Sequence, residues 1–306
     1  MVALSLLQIR GLTKKIGNKV LVDQLTLDME KGEILGLLGP NGAGKTTTIR
    51  MIVGLMSKSA GQVIINGTDT HSNFEQAMKH VGVIVENPDL YKYLSGYDNL
   101  VHFSRMTSGV TESRIREVIA LVGLEHSIHD KVATYSLGMR QRLGLAVVLV
   151  HKPSLLVLDE PTNGLDPAGI RELRGHLKHL AQQEGVGIMI SSHLMSEMEL
   201  MCDRVAIVQK GKLVAIQKIA DMANDERTEV QFEVDRPDLA VQILQSVMSG
   251  DEITTDQGHI QVRIPKARIP EINRKLMDAG INVFNVNTVK KTLEDKFMEI
   301  TGGEDH

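Results

Sequence analysis

A glycine-rich stretch near the start of the chain constrains its fold more than any other feature. The stretch has the pattern Gly-x-x-x-x-Gly-Lys-Thr, with an apolar run over 33–38 before it and helical spacing over 47–56 after it. This order predicts a strand, a loop and a helix, the arrangement in which such a loop holds nucleotide phosphates. Glycines let the backbone approach a phosphate closely, and the N–H groups of the loop and helix attract its negative charge. The residues predicted to bind the nucleotide here are Gly39, Pro40, Asn41, Gly42, Ala43, Gly44, Lys45, Thr46 and Thr47.

Two acidic residues follow a second apolar run, over 154–158. Ligands of open α/β sheets bind beyond the carboxyl ends of the strands, where the glycine loop also lies. We therefore predict that Thr46 and Asp159 hold Mg²⁺ and that Glu160 accepts a proton from the attacking water. On its own the pair Asp159-Glu160 is typical of a solvated strand end, and the glycine loop upstream favours the catalytic interpretation.

Further polar residues stand at the ends of predicted elements. His193 ends a third apolar run, where it is either a structural residue or a sensor of the terminal phosphate. Ser136 and Gly138 open a predicted helix, as a simple cap or as a clamp for a phosphate held by another subunit. Asp166 precedes Pro167 and either caps the next helix or bonds across an interface.

Composition and patterning limit the remaining possibilities. The 306 residues carry a net charge of −4, which does not suggest a nucleic-acid surface, and the single Cys202 fits a reducing compartment. No run approaches the roughly 18 apolar residues of a membrane span, so a membrane role requires a separate chain. We expect two domains, residues 1–222 and 228–306. The second has the order β-α-β-β-α-β of a ferredoxin-like fold, with a regulatory or docking role.

The motifs together, in this order, resemble those of the ATP-binding cassette (ABC) ATPases. The resemblance covers about residues 5–220 and rests on the glycine loop and four further segments, which are Tyr135 to Gln141, Asp159-Glu160, Gly164 to Asp166 and Ser192-His193. It implies an α/β fold of the P-loop NTPase type, with a mixed sheet core, an antiparallel β subdomain and a helical subdomain. It also implies a head-to-tail dimer with ATP between the glycine loop of one subunit and the signature helix of the other. On this resemblance Ser136 and Gly138 contact ATP from across the dimer, Glu160 is the catalytic base and His193 is the switch. Asp166 is counted with the residues predicted to bind the nucleotide.

The chain departs from the family pattern at three places. Leu137 and Met139 stand where the signature has a glycine and a glutamine. Glu86 replaces the strand-end glutamine; we expect it to ligate Mg²⁺ as a third metal residue, with added charge beside the nucleotide. Ile16 falls where the family has an aromatic that stacks on adenine, so we expect apolar contact to hold the base.

Glu86 with Asn87-Pro88, the Tyr-Ser-Leu-Gly-Met signature and the terminal segment 293–297 resemble the bacterial exporters of bacitracin and lantibiotics. This resemblance implies an ATPase that binds ATP and Mg²⁺ and drives a separate transmembrane permease from the cytoplasmic face of the membrane. It also implies a second ATPase subunit, most simply an identical copy, and a role in antibiotic resistance.

Two alternatives remain at this point. One is an ABC ATPase that acts on DNA or ribosomes, which the absence of sustained heptads, the single cassette and the acidic charge disfavour. The other is a regulatory module that does not hydrolyse ATP, which the intact Asp159, Glu160 and His193 disfavour.

Overall fold

The computed structural model describes residues 5–86, 88–223, 228–246, 248, 253–256, 259–289 and 293–301. Within these ranges none of the helices has the length and apolar character needed to span a membrane. The described residues up to Lys218, together with Ile300 and Thr301, form one compact unit, and those from Ile219 to Glu299 form a second. The division falls just before the boundary at 222 inferred from the sequence, and the linker residues 224–227 lie outside the description, so the domain limits stay a prediction.

The strands of the first unit follow the apolar runs of the sequence. In chain order they are β1 (Leu7–Ile16), β2 (Lys19–Met29), β3 (Ile34–Leu38), β4 (Ala60–Ile65), β5 (Thr68–Asp69), β6 (Val81–Val85), β7 (Leu155–Asp159), β8 (Gly187–Ser192), β9 (Arg204–Gln209) and β10 (Lys212–Lys218). Its helices are α1 (Lys45–Ile52), α2 (Phe74–Met78), α3 (Gly96–Ser104), α4 (Glu112–Leu121), α5 (Leu137–Leu149), α6 (Pro167–Glu184) and α7 (Met195–Met201).

A six-stranded sheet in the order β10-β9-β3-β8-β7-β6 forms the centre of this unit. Strands β6, β7, β8, β3 and β9 are parallel, and β10 returns antiparallel to β9. Every residue of β3, β7 and β8 is buried, which explains why these strands read as continuous apolar runs. Because the strands are parallel, the carboxyl ends of β3, β7 and β8 lie together at one edge, and each is followed by predicted site residues.

A second, antiparallel sheet in the order β2-β1-β4-β5 packs on the central one. Along its strands, buried residues alternate with more exposed ones, as the sequence predicts for a sheet with one solvent-exposed face. A common apolar core joins this sheet to the central sheet and to α1; it includes Leu7, Ile9, Leu25, Val63, Ile49, Leu37, Leu155 and Met189. The core therefore fixes the glycine loop between two sheets.

Helices α3, α4 and α5 form the helical part, and α3 and α4 both contact α5. Each starts at a polar cap: the side chains of Ser95, Thr111 and Ser136 accept hydrogen bonds from Asp98, Arg114 and Met139 N–H groups. Tyr135, just before α5, is buried, and its hydroxyl donates to the Ser127 carbonyl over 2.6 Å. Burial raises the pKa of this phenol, so it stays protonated and anchors the start of α5.

The second unit has the β-α-β-β-α-β order that the sequence predicted, after a short helix. Its elements are α8 (Ile219–Ala223), β11 (Thr228–Val234), α9 (Pro237–Gln245), β12 (Ile253–Asp256), β13 (His259–Ile264), α10 (Ile269–Asp278), β14 (Val283–Val289) and α11 (Leu293–Thr301). The antiparallel sheet has the order β12-β13-β11-β14. Apolar residues of the sheet and of α9 and α10 form a separate core around Phe232, which supports the ferredoxin-like interpretation.

Candidate nucleotide-binding site

The glycine loop joins β3 to α1 and has the backbone that its sequence requires. Gly42 and Gly44 have φ angles of 81° and 106°, in the region that favours glycine. A Cβ atom at Gly44 would also lie 2.9 Å from the Leu21 carbonyl oxygen, so no larger residue fits there. The Nζ of Lys45 curls back to donate to the carbonyls of Gly39 at 2.7 Å and Pro40 at 3.3 Å. The lysine side chain therefore lies against the backbone of its own loop.

A cleft of about 700 Å³ lies over this loop. Its walls combine three parts of the first unit: the loop and α1, the start of β2, and the ends of β7, β8 and β9. The lining residues are Lys19, Val20, Leu21, Asn41, Gly42, Gly44, Lys45, Thr46, Thr47, Glu160, Asn163, His193, Lys210 and Gly211. Of the predicted loop residues, Gly39, Pro40 and Ala43 do not line the cleft.

The predicted magnesium residues Thr46 and Asp159 meet at the floor of this region. The Thr46 hydroxyl lies 3.2 Å from Oδ1 of Asp159. Asp159 is almost fully buried. Ser191, level with Asp159 in the parallel register of β7 and β8, donates its hydroxyl to the same oxygen at 2.5 Å. A hydroxyl and a carboxylate are the hard oxygen donors that Mg²⁺ prefers, so these residues fit that ion.

The predicted base, Glu160, is held by contacts on both sides of its carboxylate. Its backbone N–H donates to the Ser191 hydroxyl at 3.0 Å, with φ at 49°, a conformation unusual for a residue other than glycine. Oε1 lies 3.4 Å from Nζ of Lys45, and Oε2 lies 3.0 Å from Nδ1 of His193. The structure thus brings Lys45, Glu160 and His193 into one contacting group at the cleft.

Glu86, predicted as a third metal residue, lies outside the lining of this cleft. Its carboxylate pairs with Arg50 of α1 at 2.7 Å, and its side chain is 69% exposed. The residue follows β6, with φ at 66°. Asn87, which the sequence groups with it, is outside the described residues. Metal binding by Glu86 therefore remains a prediction.

The residues predicted to act from across a dimer do not line this cleft. The Ser136 hydroxyl accepts from the N–H of Met139 at 3.2 Å, and Oδ1 of Asp166 accepts from the N–H of Gly169 at 2.8 Å. Both are helix caps, one of the two roles considered for each. A Cβ atom at Gly138 would lie 3.8 Å from Leu165, so the start of α5 stands beside the start of α6.

Several contacts of the site were not foreseen. Ser191 bonds to both Asp159 and Glu160, although the sequence shows it only as one of two serines at a strand end. The hairpin turn at Gly211 donates to the Ala43 carbonyl at 2.9 Å and so touches the glycine loop, which only tertiary contact reveals. On the side expected for the base, Val20 lines the cleft while Ile16 does not and is 56% exposed.

Comparison with known proteins places this geometry in context. Residues 22–163 match the family model described as ABC transporter. Residues 131–199 also match a model described as AAA domain, putative AbiEii toxin, Type IV TA system.

Curated relatives match over most of the chain. YhcH of Bacillus subtilis, an uncharacterized ABC transporter ATP-binding protein, is 50% identical over 97% of this chain and 96% of its own length. The bacitracin transport ATP-binding protein BcrA of Enterococcus faecalis is 37% identical over 97% of this chain and 96% of its own. The lantibiotic transport ATP-binding protein SrtF of Streptococcus pyogenes is 42% identical over 68% of this chain and 89% of its own.

Solved structures share the fold of the first unit. The structure of an ATP binding subunit of an ABC transporter has a TM-score of 0.64 and 28% identity, over 72% of this chain and 92% of its own. A dimeric ATP-binding cassette bound to ADP and Pi has a TM-score of 0.62 and 22% identity, over 70% of this chain and 98% of its own.

Proposed function

This chain belongs to the ABC transporter family of ATP-binding proteins, and from that premise we propose that it powers a bacterial exporter of antimicrobial peptides. As a member it binds and hydrolyses ATP. The proposed cargo class rests on BcrA, a bacitracin transport protein, which this chain matches over nearly its whole length, including the second unit. We place the chain at the cytoplasmic face of the membrane, bound to a separate permease.

The observation that carries hydrolysis is the position of Glu160. Its carboxylate stands at the cleft, in contact with Lys45 and His193, next to the Thr46–Asp159 pair. In the proposed reaction Glu160 accepts a proton from water as the water oxygen bonds to the terminal phosphorus. The bond from that phosphorus to the leaving oxygen of ADP breaks, and inorganic phosphate is released.

We propose that Lys45 exchanges its partners when ATP binds. Its Nζ contacts the Gly39 and Pro40 carbonyls and the Glu160 carboxylate. The phosphates attract Lys45 away from all three, which frees Glu160 to orient water and leaves His193 to report the terminal phosphate. Thr46 and Asp159 would hold Mg²⁺, which neutralises developing phosphate charge when bound.

The other half of the site comes, in this proposal, from a second copy. Ser136 and Gly138 present the start of α5, where unpaired N–H groups attract phosphate. These residues do not line the cleft of their own chain, which supports the proposal that they complete the cleft of a partner. ATP binding would then close two chains around two nucleotides.

For the permease we propose an aromatic surface formed by Tyr91, Tyr93, His102 and Phe103. The Tyr91 ring lies 5.9 Å from Tyr93, 4.9 Å from His102 and 6.0 Å from Phe103, and Tyr93 is 70% exposed. The chain has only four tyrosines, five phenylalanines and no tryptophan, so this concentration favours a docking role.

A buried asparagine holds the aromatic surface in place. The Asn99 side chain accepts from the N–H of Tyr91 at 2.8 Å and donates to the carbonyls of Tyr91 and Ser95 at 3.0 and 2.8 Å. These bonds fix Tyr91, the centre of the aromatic surface, to α3.

The cargo is tested by resistance. The chain and its permease, expressed in a bacitracin-sensitive bacterium, should raise the inhibitory concentration of bacitracin or a lantibiotic, and the variant Glu160→Gln, at equal membrane-bound amount, should not. Unchanged susceptibility with an active ATPase would reject the cargo class.

The docking surface is tested by copurification with the permease. Tyr93→Ala should reduce the amount of permease that copurifies, and Phe74→Ala, at another exposed aromatic, is the matched control.

A further inference from the structure

We propose that Arg50 is a positioning residue for Glu86, and that the two form a charge-matched pair which lets a carboxylate stand beside the nucleotide site. The proposal rests on the function proposed above for its ligand, a nucleoside triphosphate. It assigns a role to an arginine that no phosphate-binding motif contains.

The backbone places Glu86 close to the strand end that carries the magnesium residues. Val85 of β6 pairs with Asp159 of β7 in parallel register, so Glu86 is the first residue beyond that level. Its φ angle of 66° is one that residues with a side chain seldom adopt, so neighbouring contacts must hold it. The Arg50 ion pair, at 2.7 Å, is such a contact.

Arg50 approaches from the helix that follows the glycine loop. It stands four residues after Thr46 on α1, which puts the two side chains on one face of the helix, one turn apart. Thr46 contacts Asp159, and Arg50 contacts Glu86. One face of α1 therefore serves two neighbouring strand-end carboxylates, the first with a hydroxyl and the second with a positive charge.

The balance of charge explains why such a partner matters. Three carboxylates surround this edge of the sheet, and each has its own contact: Asp159 with the Thr46 and Ser191 hydroxyls, Glu160 with Lys45, and Glu86 with Arg50. Lys45 is required by the phosphates when they bind, so it cannot also offset Glu86. Without Arg50 the Glu86 carboxylate would repel the incoming triphosphate.

A double-mutant cycle tests the pairing in the full chain. ATP affinity is measured in EDTA for the native chain, Arg50→Ala, Glu86→Gln and the double variant. Because the pair is partly exposed, we expect Arg50→Ala to weaken metal-free ATP binding roughly two- to fivefold when Glu86 is present. With Glu86→Gln already in place, the same substitution should have no effect. A second measurement is the Mg²⁺ concentration at which half of the gain in ATP affinity is reached. This concentration should fall in Arg50→Ala, because the Glu86 carboxylate is then available to the cation. It should not fall in the double variant, which lacks that carboxylate.

The controls separate this inference from its premise. Arg10 and Asp28 form another partly exposed arginine–carboxylate pair, at 2.6 Å between β1 and β2, and Arg10→Ala should leave ATP affinity unchanged. Equal losses on removing Arg50 in both Glu86 backgrounds would mean general attraction of phosphate by the arginine and would overturn the proposal, as would no loss in either. A native chain that binds ATP no better than Lys45→Ala would instead refute the nucleotide site itself.

Discussion

The two halves of the nucleotide machinery in this chain differ in how complete they are. The glycine-loop half is interlocked: Thr46 meets Asp159, and Lys45 and His193 meet Glu160. The signature half, at Ser136 and Gly138, has a capped helix start and does not line the cleft. The contacts of the glycine-loop half are therefore complete within one chain, whereas the signature half has only the proposed role of serving the cleft of a second chain.

The largest expected effect comes from the base. We predict that Glu160→Gln lowers the hydrolysis rate by about 10²–10⁴-fold while ATP still binds, because the amide keeps the shape but accepts no proton from water. Phosphate release and nucleotide binding, measured on the same sample, check this. Turnover close to the native rate would remove Glu160 from the role of base.

A smaller effect is expected from replacing Lys45, the lysine of the glycine loop. Lys45→Ala removes charge-assisted hydrogen bonds to the phosphates, and we predict a loss of ATP affinity of roughly 10- to 100-fold. Titration with a fluorescent ATP analogue measures it. Unchanged affinity would mean that this loop does not hold the nucleotide.

The smallest effect separates the two roles of Ser136. Ser136→Ala removes a helix cap and should lower the free energy of unfolding by about 1 kcal/mol. Ser136→Asp keeps the cap, so it should restore stability, but its charge would face a partner's phosphate and depress hydrolysis. Thermal unfolding and ATPase rates of the two variants, compared with native chain, decide the matter. If the aspartate variant is both stable and fully active, Ser136 is only a cap.

Much of the glycine-loop half was predictable because its chemistry follows the chain locally. A strand, a glycine loop and a helix are adjacent in sequence, and the parallel order of β3, β7 and β8 brings their ends together. The contacts of Ser191 and Arg50 were not predictable, since they depend on the register between distant strands and on the face of α1. Helix α7 was not predicted either; its seven residues bury only Met198 and Met201, too few for a clear period.

In the second unit, too, the order of the elements could be predicted from the sequence, whereas the binding partner could not. Its strand and helix order follows from alternation and helical spacing. What it binds depends on a partner, and its sequence carries no catalytic constellation, so the regulatory or docking role stays a prediction.

The central claim, that neither chain alone surrounds the triphosphate, is tested most directly by the mass of the Glu160→Gln variant in solution. With saturating ATP and Mg²⁺, sedimentation velocity should show two chains per particle. The additional change Gly138→Asp, which blocks only the signature half, should return it to one chain without loss of ATP binding. A Glu160→Gln chain that binds ATP yet remains single, with its permease present or absent, would contradict the account.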